Sequence, residues 1–387
     1  MPTNMLHTIK VKNFKSLEDT RISFAKNTFF IGLNGVGKTT ILQAIDFISA
    51  VSKGEVTKWL EARSWKGKDL TFYKSNKSII EFDIQFQLGD KSYIFNFMFN
   101  KKTLKCSQET ILYIDKDVQR ELLSVKDGYF SLYQDKKQKI NFKYNGSILS
   151  ALETRLFKDD LLGIYNFFGD IRSAELLSPL LMKKIARESD NTIGLGGEKL
   201  SAFLNSLSTE NKEFLQTKLQ EFFPHVASFE TKSLRSGWKT LALVEKYGDK
   251  LVETDSLHLS DGVLRILAIL SQLLTTESIL IFDEIEDGIN QEFVEKLIDI
   301  IVASQHQTVV TTHSPLVLNF IDDDIAKESI FFVYKTYIGA TKVINFYEAI
   351  TRFKQIDDYE LDLFGAGEVM QSVNLMELTD KLLKSDG

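Results

Sequence analysis

The stretch that most constrains this chain runs from Thr28 to Ser49, TFFIGLNGVGKTTILQAIDFIS. It opens with the apolar run Phe29–Ile31, which is typical of a short buried strand, and from Lys38 onward its apolar residues recur at helical spacing. Between them, GLNGVGKT satisfies the pattern G-x-x-x-x-G-K-[ST]. Glycines let successive backbone N–H groups turn towards phosphate oxygens, and the following helix adds the positive end of its dipole. The stretch therefore predicts a phosphate-binding loop.

Each residue type in this loop has its own expected part. Lys38 is placed to reach the β- and γ-phosphates of a nucleoside triphosphate, and the hydroxyl of Thr39 is placed to ligate Mg²⁺. The other residues expected to surround the phosphates are Gly32, Asn34, Gly35, Gly37 and Thr40. A chance glycine turn ahead of a helix is the alternative, and the strand-to-helix setting argues against it. ATP and Mg²⁺ are therefore the expected cofactors.

A second group of motifs begins near residue 257. The segment LSDGVLR opens a helix whose expected N-cap is Ser260 or Asp261, with Gly262 next, and the apolar body that follows predicts a buried helix. Further on, an apolar run ends directly in Asp283 and Glu284, as when a buried parallel strand delivers carboxylates to a sheet edge. Asp283 suits Mg²⁺ binding through water, and Glu284 suits the general base that polarises an attacking water.

Residues 307–312 form another predicted buried strand, and this strand ends at His313. A histidine at the C-terminal edge of a strand, beside the carboxylates of the preceding strand, can contact a γ-phosphate. A lone histidine is more often structural, and the prediction therefore rests on the position of His313 at the C-terminal edge of the strand. The expected catalytic residues are thus Lys38, Glu284 and His313.

The rest of the chain is organised by changes in hydrophobic period. Residues 6–24 are predicted to form two strands beside the phosphate-loop strand, and the turn 13–16 either approaches the nucleotide or simply ends a strand. Alternating residues from 79 to 144 predict an antiparallel meander with one solvated face. The later predictions are a helical pattern at 148–162, a core strand at 166–171, two helices at 198–223 and a hairpin at 226–252.

Composition and charge narrow the class of protein. The 387 residues include 43% hydrophobic and 26% charged residues, Cys106 as the single cysteine, no long uncharged apolar run and a polar N-terminus. These features exclude an intrachain disulfide and a Cys₄ zinc site, and they favour a cytoplasmic protein without a membrane span. Net charge is −6, yet residues 53–146 hold 18 Lys and Arg against 12 Asp and Glu. This basic region could contact a DNA backbone or be an ordinary solvated sheet face.

Together the motifs resemble the ABC-type ATPase heads of the RecF/SMC/OLD-like group of AAA-family ATPases. The matching segments are IKVKNFKSLEDTRISF, GLNGVGKTT, LSDGVLRIL, ILIFDEIEDGIN and VVTTHSP. They cover most of residues 6–50 and 190–345. In this chain Ile285 stands where the group often has proline, and Asp261 occupies a signature position that is often glycine. No glutamine can be assigned to the Q-loop.

The resemblance implies an α/β fold with a mixed central sheet, an antiparallel β meander, a helical insertion and no long coiled coil. The implied domains are an ATPase core of residues 1–52 plus 225–345, a meander insertion of 53–147, a helical subdomain of 148–224 and a C-terminal adaptor tail of 346–387. The resemblance also implies a homodimer or higher homo-oligomer. Each ATP would lie on residues 32–40 of one chain and under Ser260, Asp261 and Gly262 of another, and hydrolysis through Glu284 would release the pair.

Three kinds of ATPase are compatible with this resemblance. The first is the regulatory or sensor ATPase of a multi-protein complex, as in bacterial antiphage defence, with a separately encoded nuclease such as a TOPRIM or HNH protein. About 70 residues follow the His313 strand, fewer than a usual catalytic domain. The second is a RecF-like DNA repair ATPase that binds DNA through the basic region. The third, a transporter ATPase, does not fit the leader or the LSDGVLRIL signature.

The tail carries two further patterns. Acidic clusters at 322–324 and 357–362 could be the metal-binding acids of a nuclease, but solvated turns explain them better. Residues 359–367 precede a short amphipathic helix over 373–383, which either packs on this chain's own core or docks a partner.

Overall fold

The computed structural model describes residues 4–116, 118–189, 191–274, 279–353 and 365–385. The chain divides into two units. The first comprises Met1–Ile171, Glu277–Ile279 and Gln305–Gly387, and the second comprises Arg172–Thr276 and Leu280–Ser304. Among the described residues, no helix is both long and apolar enough to cross a bilayer.

The strands and helices follow one another in a mixed α/β order. In chain order the strands are β1 (Asn4–Phe14), β2 (Leu17–Ser23), β3 (Asn27–Ile31), β4 (Ile79–Leu88), β5 (Lys91–Asn100), β6 (Lys105–Asp115), β7 (Val118–Lys126), β8 (Tyr129–Leu132), β9 (Gln138–Lys139), β10 (Ile171–Ala174), β11 (Val226–Ser233), β12 (Lys239–Tyr247), β13 (Lys250–Asp255), β14 (Ile279–Phe282), β15 (Gln307–Thr312), β16 (Ile330–Lys335) and β17 (Thr341–Asn345). The helices are α1 (Lys38–Lys53), α2 (Val56–Ala62), α3 (Asp159–Gly169), α4 (Pro179–Met182), α5 (Leu200–Ser206), α6 (Thr209–Phe222), α7 (Asp261–Gln272), α8 (Gln291–Ala303), α9 (Pro315–Leu318), α10 (Asp323–Ser329), α11 (Phe346–Arg352), α12 (Ala366–Ser372) and α13 (Leu375–Ser385).

An antiparallel sheet in the order β2-β1-β4-β5-β6-β7-β8-β9 dominates the first unit. The predicted meander is confirmed, because on β4 the residues Ile80, Phe82 and Ile84 are buried while Glu81 and Asp83 between them are partly exposed. The leader strands belong to this same sheet, with β1 pairing with β2 on one side and β4 on the other. The expectation that they lie beside the phosphate-loop strand is therefore wrong. Backbone pairing between distant strands decides this, and hydrophobic alternation alone does not reveal a strand's partner.

The phosphate-loop strand β3 lies between two parallel neighbours, β15 and β16. The antiparallel strand β17 extends this sheet beyond β16, so the sheet is mixed, as the resemblance implies. All five residues of β3 and all six of β15 are buried, which is typical of strands covered on both faces. The longest described helix, α1, has 16 residues, and no long coiled coil occurs in the described part of the chain.

Helix α1 packs on the meander through an aromatic cluster. The ring of Phe47 lies 5.3 Å from Phe14, 5.2 Å from Trp59, 6.1 Å from Phe82 and 5.1 Å from Phe99, measured between centroids. Each such pair contributes about 0.5–1.5 kcal/mol beyond the burial of its surface. The cluster therefore fixes the helix that follows the phosphate loop against a broad sheet.

Glu109 on β6 anchors the chain that leaves the meander to the C-terminal end of α1. Its carboxylate accepts hydrogen bonds from the Ser147 hydroxyl and from the Ile148 N–H, the latter at 2.8 Å, and the Ser147 N–H donates to the Val51 carbonyl at 2.8 Å. The side chain is almost fully buried. Burial raises the pKa of Glu109 from its ordinary value to about 7, against the opposing effect of the two hydrogen bonds.

We expect this carboxyl group to make the protein less stable as pH rises from about 4.5 to about 7. In that window the unfolded chain has already released the Glu109 proton while the folded chain retains it, so the free energy of unfolding falls with pH. The contribution is about 3 kcal/mol. Glu109→Gln has no proton to release, so denaturant titrations at several pH values should show the difference between wild type and variant changing across this window. Glu61→Gln on α2 is the control, and a pH-independent difference for Glu109→Gln would contradict the prediction.

The segment between the meander and the second unit differs from expectation. Asn166–Gly169 forms the end of α3, and the strand begins only at Ile171, so the predicted core strand over 166–171 is wrong for most of its length. The buried residues of α3, Leu161, Ile164, Phe167 and Phe168, recur at helical spacing. Phe167 and Phe168 pack against Phe86 of the meander, with ring centroids 5.5 Å and 4.9 Å away. The apolar run at the end of α3 resembles a strand in sequence because both Phe167 and Phe168 are buried against the meander.

The second unit combines a small sheet with the helices of the second motif group. Strands β11, β12 and β13 form an antiparallel sheet, so the hairpin predicted over 226–252 is confirmed and gains a third strand. The two helices predicted over 198–223 are α5 and α6, and Ser208 caps α6 by accepting a hydrogen bond from the Asn211 N–H at 3.2 Å. Strand β14 is fully buried and neighbours β10.

The tail helix α13 packs on the chain itself through Leu378 and Leu382, which are buried, as is Val373 before it. Met376 on the same helix is 69% exposed. The acidic and aromatic segment expected at 357–364 lies outside the described residues. The adaptor role of the tail remains a prediction.

Candidate functional site

The phosphate loop joins β3 to α1 and has the backbone that its glycines predict. Gly35 and Gly37 have φ angles of +78° and +108°, in the region that side chains rarely adopt. A Cβ on Gly37 would lie 2.1 Å from the Thr341 hydroxyl oxygen, and one on Gly32 would lie 2.3 Å from the Val333 carbonyl oxygen. A Cβ on Gly35, in contrast, would meet no atom within 4 Å. The loop is therefore packed tightly from behind and open at its tip, which fits a cradle for phosphate oxygens.

Lys38 begins α1 and is almost fully buried. Its ammonium group donates hydrogen bonds to the carbonyl oxygens of Gly32 at 2.8 Å and Leu33 at 3.3 Å. The side chain thus curls back along the loop that precedes it. Thr39 and Thr40 follow in the first turn of α1, where backbone N–H groups carry the positive end of the helix dipole.

Residues far away in sequence support the loop from the β16–β17 hairpin. The Lys335 ammonium donates to the Gly35 carbonyl at 3.0 Å. The Thr341 hydroxyl lies 2.7 Å from the Val36 carbonyl oxygen and 2.8 Å from the Ser16 hydroxyl oxygen, within hydrogen-bonding distance of both. Sequence reasoning missed Lys335 and Thr341, because neither belongs to a motif.

The turn at 13–16 is a strand-end turn between β1 and β2, one of the two alternatives. Asn13 and Lys15 have φ angles of +65° and +48°, and the Asn13 amide donates to the Ile79 carbonyl at 2.7 Å. The Lys15 ammonium donates to the Gln43 side chain on α1 at 2.7 Å and lies 3.5 Å from the centre of the Trp65 ring. The turn is thereby fixed to the helix of the phosphate loop.

His313 follows β15 and is exposed. In the parallel pairing of β15 with β3, Thr312 lies opposite Ile31, so His313 continues one strand at the sheet edge where Gly32 continues the other. The register of β15 with β3 therefore puts His313 at the same sheet edge as the start of the phosphate loop, and its contact with a γ-phosphate stays a prediction.

In the second unit, Ser260 is the N-cap of α7, and its hydroxyl accepts from the Val263 N–H at 3.4 Å. This confirms one of the two predicted caps. Asp261 is the first helical residue, and its carboxylate accepts a hydrogen bond from the Lys183 ammonium at 2.9 Å. A Cβ on Gly262 would lie 2.9 Å from the Gly288 carbonyl oxygen, so the signature helix and the turn after the acidic pair touch backbone to backbone.

The acidic pair Asp283 and Glu284 directly follows the buried strand β14, and both residues are partly exposed. Glu284 has a φ of +45°, which is uncommon for a residue with a side chain and concentrates at functional sites. The Arg265 guanidinium on α7 donates to the carbonyl oxygens of Glu284 at 3.2 Å and Asp283 at 3.4 Å, and pairs with Asp287 at 3.2 Å. Arg265, which sequence reasoning missed, thus ties the signature helix to the acidic pair.

The donors present fit ATP with Mg²⁺. In the first unit, the phosphate loop supplies an open cradle with a lysine and the Thr39 hydroxyl; in the second unit, Asp283 supplies a carboxylate, and both groups are hard oxygen donors. Mg²⁺ at phosphate sites commonly takes only one or two protein ligands, together with phosphate oxygens and water. Within the described residues, no group of three or more His, Cys, Asp or Glu side chains could hold a metal by itself.

The family model and the similar proteins agree with the family that the motifs indicate. Residues 28–319 match a family model described as AAA domain, putative AbiEii toxin, Type IV TA system. The chain is 36% identical over 89 residues to the OLD nuclease of Thermus scotoductus, which is 22% of this chain and 16% of that protein. It is 35% identical over 66 residues to the DNA replication and repair protein RecF of Lactococcus lactis subsp. cremoris, which is 17% of this chain and 18% of that protein. These matches span less than a fifth of either relative.

Solved structures of SMC heads share the fold. An Smc head bound to the C-winged helix domain of ScpA has a TM-score of 0.53 and 16% identity, covering 89% of this chain and 99% of that one. The Smc head with a coiled coil and joint from Pyrococcus yayanosii has a TM-score of 0.52 and 12% identity, covering 91% and 100%. Because the family model spans most of the chain and includes both groups of motifs, the chain belongs to this AAA-domain family, and its fold is that of the SMC heads.

Proposed function

We propose that this chain binds and hydrolyses ATP with Mg²⁺, and that two copies pair face to face around two ATP molecules. The proposal rests on the conformation of two groups of residues: the phosphate loop, and the signature helix with the acidic pair. The phosphate loop is an open glycine cradle with Lys38 in place, and the signature helix begins at a serine cap and is tied to the acidic pair by Arg265. The phosphate loop lies between β3 and α1, the signature opens α7, and the acidic pair follows β14.

In this proposal each residue of the phosphate loop acts on the triphosphate. Lys38 leaves the loop carbonyls and binds the β- and γ-phosphates, while the backbone of the loop surrounds them. The loop residues concerned are Gly32, Asn34, Gly35, Gly37 and Thr40. Thr39 and Asp283 would hold Mg²⁺, and the bound ion would neutralise the charge that develops on the phosphate oxygens. His313 contacts the γ-phosphate from the end of β15.

Glu284 is the proposed general base. Its carboxylate accepts a proton from a water molecule as the water oxygen bonds to the γ-phosphorus. The bond from that phosphorus to the β–γ bridging oxygen breaks, and ADP and phosphate are formed. Positioned base catalysis of this kind contributes about 10²–10⁴-fold in rate. The strained backbone of Glu284 and the Arg265 hydrogen bond to its carbonyl oxygen fix the backbone position from which the carboxylate side chain extends.

The signature helix serves the other copy. Ser260, Asp261 and Gly262 at the start of α7 would cover the γ-phosphate of the ATP held by the partner's loop, where a helix N-terminus favours negative charge. ATP would thereby join the two heads, and hydrolysis would release them.

A mixing experiment tests this shared site. Lys38→Ala removes the loop lysine but leaves the signature intact, whereas Ser260→Arg obstructs the signature but leaves the loop intact. We expect neither variant alone to hydrolyse ATP, and an equal mixture to regain part of the wild-type rate, because each mixed pair contains one complete site. An assay of phosphate release at fixed total protein measures this. Full activity of Ser260→Arg alone, or no recovery on mixing, would count against the shared site.

We further propose that the head is the regulatory ATPase of a multi-protein complex in antiphage defence, with a separate nuclease or toxin as effector. Two findings support this role: the family description names a toxin and a toxin–antitoxin system, and one relative is named a nuclease. Co-purification of the tagged chain from its native cells tests it, and recovery of the head without any second protein would oppose it.

A RecF-like ATPase that binds DNA directly is the second candidate, favoured by the match to RecF and by the basic region 53–146. Stimulation of ATP hydrolysis by duplex DNA, weakening steeply with salt, would support this candidate over the first.

A further inference from the structure

The signature helix carries a negative charge at the end that is proposed to receive a phosphate. Helix α7 begins at Asp261, and 61% of the Asp261 side chain is exposed. An acidic residue in the first turn stabilises a helix through the dipole, but the same carboxylate repels an approaching γ-phosphate. A signature that binds the partner's ATP therefore needs something to offset Asp261.

Lys183 supplies the opposite charge. Its ammonium donates to the Asp261 carboxylate at 2.9 Å, and only 23% of its side chain is exposed. Its backbone is held on both sides, since the Lys183 N–H donates to the Pro179 carbonyl at 3.1 Å and the Lys183 carbonyl accepts from the Ser256 hydroxyl at 3.1 Å. The ammonium is thus presented from a fixed point beside the start of α7.

We propose that Lys183 is a positioning residue of the signature. It cancels the charge of Asp261 and adds a cation beside the helix end that covers the γ-phosphate of the ATP bound to a second copy of this chain. Asp261 can then stabilise α7 without repelling the nucleotide. This inference rests on the proposed pairing of heads around ATP and adds to that pairing a residue outside every sequence motif.

A simple surface ion pair that ties the end of α4 to α7 would have different consequences. If the pair only holds these helices together, removing either partner removes the same contact, and both variants weaken pairing alike. If Lys183 offsets Asp261, the two single variants act in opposite directions. Loss of the lysine leaves an uncompensated carboxylate facing the phosphate, while loss of the carboxylate leaves a free cation there.

The test uses the full chain carrying Glu284→Gln, so that ATP is bound and not consumed. ATP-dependent pairing is measured by analytical ultracentrifugation over a range of ATP concentrations, at low and at high ionic strength. Lys183→Ala should weaken pairing about three- to tenfold, and Asp261→Asn should leave it equal or tighter. The double variant should pair more tightly than Lys183→Ala alone. High salt should shrink these differences, because it screens exposed charges.

Controls separate charge from folding. Lys183→Arg should restore pairing, and Lys184→Ala, which removes the neighbouring exposed lysine, should not change it. Binding of a fluorescent ATP analogue to unpaired protein should match across the set, and the loss of stability on thermal melting should not exceed the contribution that an acidic first-turn residue makes to a helix. Equal weakening by Lys183→Ala and Asp261→Asn, or no weakening by Lys183→Ala, overturns the inference while pairing itself stands. Absence of ATP-dependent pairing in the Glu284→Gln parent overturns the proposed function and this inference with it.

Discussion

Glu284→Gln is expected to lower the rate of ATP hydrolysis about 10²–10⁴-fold while ATP still binds. Glutamine has nearly the same shape as glutamate, but its side-chain amide is a poor base and cannot take the proton of the attacking water. Arg265 donates a hydrogen bond to the carbonyl oxygen of residue 284, and this backbone contact survives the change. The variant should therefore hold ATP and accumulate as a paired species.

Two measurements check this expectation. Phosphate release reports hydrolysis, and size-exclusion chromatography with light scattering reports pairing in the presence of ATP and Mg²⁺. Glu292→Gln is the matched control, because it makes the same change on the exposed first turn of α8, just beyond the acidic segment. Unchanged turnover in Glu284→Gln would mean that another group is the base.

Gly37→Ala should weaken nucleotide binding by straining the loop backbone. The residue has a φ of +108°, and an added Cβ would lie 2.1 Å from the Thr341 hydroxyl oxygen and 3.0 Å from that of Ser16. The Thr341 hydroxyl cannot withdraw freely, because it also lies 2.7 Å from the Val36 carbonyl oxygen. Strain and overpacking of this kind each cost about 1–3 kcal/mol. The loop should shift, and ATP affinity should fall at least about tenfold.

The control for Gly37→Ala isolates the steric part of the effect. Gly89, in the β4–β5 turn, has a φ of +60°, and an added Cβ there would meet nothing within 4 Å. Gly89→Ala should therefore cost about 1 kcal/mol of stability from backbone strain alone and leave ATP binding unchanged. Isothermal titration calorimetry measures the ATP affinity of both variants. Wild-type affinity in Gly37→Ala would show that the loop tolerates the clash.

Features that depend on neighbouring residues in the chain were predictable. The strand before the phosphate loop, the helix after it, the Ser260 cap and the buried strand ending in Asp283 all follow from local pattern, and the structure contains each of them. Local geometry dictates these elements, because glycine spacing, capping chemistry and hydrophobic period act within a few residues. The boundary errors fell where local pattern was ambiguous, as at Asn166–Ile171, where two phenylalanines that complete a helix read as a strand.

Features that depend on distant parts of the chain were not predictable. Thr341 supports the phosphate loop and contacts Ser16, although the two residues are 325 positions apart in the chain. No motif includes Thr341. The pairing of β1 with β4, the hydrogen bonds from Arg265 to the Asp283 and Glu284 carbonyls, and the contact of Lys183 with Asp261 are likewise set by how separated segments meet. The residues that make these contacts are of types ordinary for a surface, a helix or a strand.

The phosphate loop shows where the two kinds of information divide. The sequence by itself determined the backbone of Gly32–Thr39, because glycines at this spacing permit the positive φ angles that a phosphate-binding loop needs. Tertiary structure alone decided what holds the loop in that shape: the hairpin carrying Lys335 and Thr341 and the turn carrying Ser16. The physical reason is that a loop's conformational freedom is local, whereas the contacts that remove this freedom come from strands brought together only by folding.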